Sequence, residues 1–517
     1  MAREVQIGRA EIGPGACRLG LAVVIVVYLL FGLAYAVKVP KWNAPDEPAQ
    51  YNYVKQVATT LTLPVLQVGD YDAAYLARLT TAKFPDALPV DAIRYESHQP
   101  PLFYLLAAGI YKLAEGLPLD ARVLALRAFS VVLGAILLAL AYALVREALP
   151  ASPLLALGTA AFVAGVPQHI ATTAAVNNDT LAEVVLALVL LVSLGGLRHG
   201  FSWRRCLALG LLLGLALLTK MTVYLTLGLA LAALAARWHL AHQVAAGKTG
   251  PRPEPLPLGE GGEFVRAGQA AGGRSPAYVE PRVGASVLPF SPRARAGGSE
   301  PADLPRALPS ITSEPALLWQ LLVVYGVALA ASAWWFGRNA LTYGGLDIFG
   351  LVRHDAVMLD QPRTVYNLAT ARYFLTTTFQ SFWAQFGWMG VLVDRRIYLA
   401  LAGLCALALL GFALYLWHLA KGKGDLDPVE KRSLALFGLC WLLAVAALLY
   451  YNLTFLQAQG RYLFPALIAI GLFFVVGLLE LVPRALRVPA MAGLYLGLLA
   501  LDYVCLVRFI APFFGTA

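Results

Sequence analysis

A chain of 517 residues with 59% hydrophobic and 14% charged residues is too apolar for a water-soluble fold, in which charged residues make up about 25%. Its mean hydropathy of +0.68 excludes disorder, collagen and a disulfide scaffold as descriptions of the whole, leaving a polytopic membrane protein. The net charge of +10 is accounted for by positive-inside bias and anionic lipid headgroups. No basic and aromatic platform for nucleic acid is visible, so none is expected as a partner.

Apolar runs long enough to cross a bilayer, about 17–25 residues, occur at 17–37, 122–145, 152–172, 180–197, 203–219, 221–237, 316–336, 397–419, 433–451, 461–482 and 488–508. Ala34-Tyr35-Ala36 resembles a signal cleavage site, but the first run is long for a signal and further spans follow, so it reads as an uncleaved anchor. A shorter run, 100–117, opens with Pro100-Pro101 and carries Lys112 and Glu115. Loop charge decides its role. If it does not span and the N-terminus is cytoplasmic, then Arg146, Arg198, Arg204, Arg205, Lys421, Lys423, Lys431, Arg432, Arg484 and Arg487 all face inward, against Lys220 and Arg461 outside, as orientation by basic residues requires.

The expectation is therefore an all-α polytopic membrane protein of about 11 transmembrane helices, multi-pass, in a bacterial plasma membrane. An N-terminal module, 1–237, carries a long first external loop, 38–121, with surface helices. A C-terminal module, 316–517, carries a second, 337–396. Between them, 238–315 is rich in Pro, Gly, Ala and Arg without hydrophobic periodicity and reads as a disordered cytoplasmic insert. In the second loop a surface helix near 365–390 carries Phe382, Trp383, Phe386 and Trp388. These read either as an interfacial aromatic belt or as a lid over a lipid-facing site. Cys17, Cys206, Cys405, Cys440 and Cys505 lie in or at the edge of apolar runs without ligand spacing and read as buried free thiols.

The polar exceptions gather on the external face. Asp46 and Glu47 follow a membrane exit between Pro45 and Pro48, whose rings stiffen the backbone. The pair reads as a solvated acidic turn or as reactive carboxylates. Asp179 follows Asn177-Asn178, with Glu183 one helical turn on. A carboxylate within a span costs about 2.5–3.5 kcal/mol and faces a watery cavity, whereas one at a helix start can simply serve the dipole. Asp179 is read as functional and Glu183 as structural. Lys220 sits between two spans, Arg338 follows Trp334-Trp335-Phe336-Gly337, and Arg461 with Tyr462 opens the tenth span. Alone each cation would be a snorkelling anchor. Together they suit a phosphate or diphosphate. His98 and Gln99 stand at the start of the surface helix as candidate substrate contacts.

Asp46-Glu47, His98-Gln99-Pro100-Pro101, Asn178-Asp179 and Arg338-Asn339, taken in order, resemble the GT-C glycosyltransferase superfamily. Within it the chain is similar to the dolichyl-phosphate-mannose protein mannosyltransferase family (family 39) and its bacterial relatives, including lipid A aminoarabinose transferases, over 1–237 and 316–482. The resemblance implies transfer of a sugar from a polyprenyl-phosphate carrier at the external face, to an acceptor that stays open among protein, lipid and glycan. It makes Asp46 the catalytic carboxylate, with Glu47 beside it and Asp179 as the second acidic site. The lysine that the family often carries near this motif is missing, Phe103-Tyr104 following Leu102.

The chemistry is coherent in itself. A polyprenyl phosphate leaves as a stable anion, so one carboxylate that takes the acceptor's proton suffices for an inverting displacement, with cations on the phosphate. Asp46, Glu47 and Asp179 could also share Mg²⁺ or Mn²⁺, which no spacing demands. The alternative function is a transporter or flippase of a lipid-linked sugar, which would place ionisable groups near the midplane.

Overall fold

In the computed structural model, residues 13–245, 316–423 and 426–515 are described. The expected insert lies outside them from residue 246. Its first residues, 238–245, continue the helix that precedes it. Nine described helices are long and apolar enough to cross a membrane. Nine of the eleven expected spans are among them.

The two that differ have physical causes. The expected span 152–172 is a bent pair, α6 (Pro153–Ala164) and α7 (Pro167–Thr173), meeting at 67°. Pro167 lacks the N–H that would continue the ladder and disfavours helix in the residue before it, so Gly165-Val166 becomes an elbow. The expected span 203–219 is α9 (Trp203–Leu217), 15 residues and so about 22 Å long, short of the helices that qualify by length. It packs through Gly210 and Gly214 against α11 (Leu317–Tyr343). A Cβ on Gly210 would stand 2.7 Å from the Val324 carbonyl, and one on Gly214 2.6 Å from Ala331 Cβ. This is the small-residue contact by which membrane helices approach without a hydrophobic drive.

In chain order the remaining long helices are α1 (Pro14–Lys38), α5 (Leu119–Ala148), α8 (Asp179–His199), α10 (Leu225–Ala245), α14 (Arg395–Ala420), α15 (Pro428–Asn452), α16 (Leu467–Leu481), which the preceding 3₁₀ turn extends to Gly460–Leu481, and α17 (Arg487–Val504), which its flanking turns extend to Arg484–Phe514. Residues 13–241 and 316–515 belong to one compact unit, so the two sequence modules form a single body. The most buried helices are α6 and α8, flanked by α1, α5 and α16.

Four short helices lie on one face: α2 (Glu47–Thr60), α3 (Ala73–Thr81), α4 (Leu102–Leu113) and α12 (Leu351–Val357). At 12 residues, α4 spans about 18 Å, too little for a hydrocarbon core of about 30 Å. Its first N–H bonds the Leu218 carbonyl at the end of α9, which fixes it to this face.

The aromatics of α13 (Leu368–Trp383) do not form a belt. Trp383 is 1% exposed and Phe386 3%, and Trp383 meets Phe162 and Phe474 edge-on at 5.9 and 6.3 Å. The helix drives its C-terminal turn inward between α6 and α16. A two-residue hairpin, β1 (Gln385–Phe386) with β2 (Val391–Leu392), then returns the chain to α14. Four of the five cysteines are buried, and none is paired in a disulfide.

Candidate functional site

The loop that leaves α1 is built around one buried arginine. α5 is 30 residues long, about 45 Å, so its first turns outrun the hydrocarbon core and Arg127 sits near the polar end. The Arg127 guanidinium donates to the carbonyls of Ala36 (2.7 Å), Val39 (2.6 Å) and Pro40 (3.1 Å), satisfying orphan carbonyls at the end of α1. With its other N–H groups it grips Glu47, Nε to Oε1 at 2.7 Å and Nη2 to Oε2 at 2.6 Å. Glu47 further accepts from the Trp42 and Val176 N–H groups at 2.8 and 3.1 Å and is fully buried. All four contacts of this carboxylate are taken. Glu47 anchors the loop to α5.

Asp46 is what the anchor presents. Its φ of 68° is left-handed, a conformation that costs an ordinary residue and marks imposed geometry. Trp42, at φ 70°, is bent the same way, and its carbonyl accepts from Trp388 Nε1 at 2.9 Å. The Asp46 side chain makes no helix cap. It accepts from the Tyr95 hydroxyl at 2.8 Å through Oδ1 and from Arg461 through Oδ2. Burial would raise its pKa, but Arg461, Tyr95 and Lys220 outweigh it and hold the carboxyl below the ordinary aspartate value.

Arg461 is brought in by Gln459-Gly460. The Gly460 N–H bonds Ser381 Oγ at 2.8 Å, and a Cβ there would stand 2.3 Å from the Phe382 nitrogen, so only glycine lets this strand of chain lie on α13. Arg461 then reaches Asp46, lies 4.0 Å from Asp179 Oδ2, and covers the Tyr462 ring at 5.6 Å. Asp179, the first residue of α8, bonds Lys220 Nζ at 2.5 Å. The hairpin of α8 and α9 returns Lys220 to the level at which α8 began. Tyr95, Asp46, Arg461, Asp179 and Lys220 thus form an alternating row of acid and base drawn from five separate places in the chain.

The other sequence candidates stand apart. Arg338 is turned to the first loop: it bonds the Pro64 carbonyl and Asn339, and stacks on Trp335 and Tyr343. No carboxylate is among these partners. His98 contacts the Tyr95 carbonyl at 3.1 Å and lies against His354 of α12, ring centroids 4.8 Å apart. Burial first, then His354, push its imidazole down to about 3. Gln99 accepts from Tyr53 through its backbone, while its side-chain oxygen is buried without a partner. Glu183 is buried one turn below Asp179 and bonds His169 at 2.9 Å.

Two residues of the site escaped the sequence reading. Arg127 had a usable signal, a lone charge in an apolar run. Tyr95 carried none beyond proximity to His98. Among the described residues no group of three or more His, Cys, Asp or Glu is placed to hold a metal ion. Asp46, Glu47 and Asp179, the carboxylates that could share Mg²⁺ or Mn²⁺, are each held by a basic side chain in this structure.

These features define a multi-pass helical membrane protein with a charged site at one face. Residues 98–247 match the family model of the dolichyl-phosphate-mannose-protein mannosyltransferases, in line with the resemblance read from the motifs. Among solved structures the chain is similar to ArnT from Cupriavidus metallidurans bound to undecaprenyl phosphate, at 13% identity and TM-score 0.46, covering 97% of this chain and 74% of that one. It is also similar to the oligosaccharyltransferase of Archaeoglobus fulgidus in complex with Zn and sulfate, at 13% identity and TM-score 0.46, covering 94% of this chain and 53% of that one. No curated protein sequence matches the chain.

Proposed function

We propose that this protein is a membrane glycosyltransferase that moves a sugar from a polyprenyl-phosphate carrier to an acceptor, by direct inverting displacement at the external face. The observation that carries the reading is the row of Asp46, Arg461, Asp179 and Lys220 on one face, supported by the family match over residues 98–247. The external assignment follows from charge: Arg146, Arg198, Arg204, Arg205, Lys421, Lys423, Lys431, Arg484 and Arg487 lie in helix ends and connections opposite to the site, where the positive-inside rule puts the cytoplasm.

Arg461 and Lys220 receive the donor phosphate, exchanging part of their contact with Asp46 and Asp179 for phosphate oxygens. That exchange leaves Asp46, ionised at neutral pH, with an open oxygen toward the acceptor hydroxyl. As the acceptor oxygen bonds the anomeric carbon, its proton passes to Asp46 and the carbon–phosphate-oxygen bond breaks. The electron pair stays on the phosphate, against the two cations. Asp179 keeps Lys220 and Arg461 at fixed separation through the step. The chain's own residues supply base, cations and orientation, and no step is routed through a metal.

The test is mass spectrometry of products after incubating the detergent-purified protein with a panel of polyprenyl-phosphate sugars and candidate protein, lipid and glycan acceptors. Release of free polyprenyl phosphate with one glycosylated product is expected. A flippase would yield no product with any donor.

A further inference from the structure

The 3₁₀ turn Tyr95–His98 begins with the tyrosine that bonds Asp46 and ends just before the Pro100-Pro101 start of α4. Its second residue, Glu96, has a carboxyl oxygen, Oε2, that is buried and without a hydrogen-bond partner. The charges that act on this carboxyl are Asp46, Lys220, Arg461 and Asp179, and it in turn acts on Tyr95, Tyr104, Tyr451 and Tyr462. Glu96 therefore belongs to the site, yet the mechanism above does not use it.

Among the described residues Glu96 forms no ion pair, and the two cations whose charge reaches it already hold other carboxylates. Arg461 is committed to Asp46 and Lys220 to Asp179. Among the described residues, the cations of the other elements against the turn are engaged elsewhere. α2 brings Lys55, paired with Asp91, and Gln56, which takes Arg94. α12 brings His354, which faces His98 and bonds its own neighbour Asp355, and Arg353, which lies over Tyr343. A third anion beside two matched pairs would be unpaired and repelled by Asp46 and Asp179.

We propose that Glu96 is a further catalytic residue, whose carboxyl works as the neutral acid and donates a hydrogen bond from Oε2 to a phosphate oxygen of the lipid-linked donor. This rests on the transferase reading above. Burial, followed by the Asp46 charge, pushes the Glu96 carboxyl up to about 8 against the pull of Lys220 and Arg461, so the acid form prevails at neutral pH. When the glycosidic bond breaks, its electron pair goes to the phosphate and the phosphate charge rises from one to two. The Glu96 hydrogen bond strengthens with that charge, which is stabilisation realised in the transition state. The Glu96 proton stays where it is, and the acceptor's proton goes to Asp46. Two carboxyls with acidities pushed apart in one site is the arrangement by which a single fold holds base and acid together.

The experiment is binding of undecaprenyl phosphate to the full chain in detergent, followed by tryptophan fluorescence from pH 7.5 to 9.5. The second phosphate ionisation, near 6, is then complete. Wild-type affinity should fall toward tenfold per pH unit above about 8. Glu96→Gln keeps a donor that does not titrate and should hold its affinity across the range, while Glu96→Ala should bind about 10–100-fold more weakly at pH 7.5. A Gln variant as weak as the Ala variant would overturn the acid role. So would a wild-type alkaline limb that is flat or shared by Glu96→Gln, and the wild-type limb decides alone if that variant does not fold. A wild-type protein that binds no undecaprenyl phosphate at any pH overturns the transferase reading itself, which separates the two failures.

Discussion

Replacing Glu47 by Gln separates anchoring from chemistry at the Asp46-Glu47 pair. Glu47 accepts four hydrogen bonds, two from Arg127 and one each from the Trp42 and Val176 N–H groups. A glutamine retains one acceptor oxygen, and in either orientation its NH₂ confronts one Arg127 N–H and one backbone N–H. Two bonds are lost, and the guanidinium, 3% exposed, keeps its charge without a counter-charge. Breaking a buried pair in this way costs about 3–5 kcal/mol, or roughly two to four decades in the folding equilibrium at 1.36 kcal/mol per decade. Arg127→Met should cost at least as much, since it also strips the carbonyls of Ala36, Val39 and Pro40 of their donors. The Glu47→Met/Arg127→Met double variant should recover part of the loss, because no unpaired charge remains. The assay is the fraction of monodisperse protein after a heating series in detergent, read beside turnover at low temperature. A Glu47→Gln protein with wild-type thermal resistance and abolished turnover would refute the anchoring argument and return Glu47 to the chemistry.

Asp46→Asn keeps shape and removes basicity. Turnover measured by product mass spectrometry should fall by about 10²–10⁴-fold, with undecaprenyl phosphate binding retained. Arg461→Lys should keep part of the donor affinity that Arg461→Ala loses, because a single ammonium replaces a fork that spans Asp46 and Asp179; equal affinities in a titration would reduce Arg461 to an interfacial anchor. His98 is depressed in the folded state to about 3, against an unfolded value near 6.5. Between those values the unfolded chain binds the extra proton, so acidification from pH 7 to 5 should remove about 2 kcal/mol of stability through this residue. His98→Gln should flatten the corresponding drop in apparent Tm. A reporter fused after residue 205 should be cytoplasmic and one after 390 external, and the reverse result would invert the face assigned to the site.

The sequence by itself determined nine of the eleven spans it offered, because apolar runs against a bilayer's thickness are a one-dimensional signal, and it set α4 apart from them because basic loops bias orientation without reference to packing. The convergence of Asp46, Asp179, Lys220 and Arg461 was legible for the same reason: each stands at the end of a traverse, and ends of traverses share a face. Even the elbow between α6 and α7 had its signal in Gly165-Val166-Pro167. What only the tertiary structure decided is which of those residues meet. Asp46 and Glu47 are neighbours with the same chemistry, and nothing local distinguishes them; Arg127, 80 positions away, seals one inside and leaves the other facing the site. Arg338 reaches the same face but is claimed by the Pro64 carbonyl, and Trp383 enters the core because α13 tilts toward α6 and α16. A side chain's role here depends on its long-range partners, because in a buried, low-dielectric setting one fixed counter-charge outweighs anything the adjoining residues contribute.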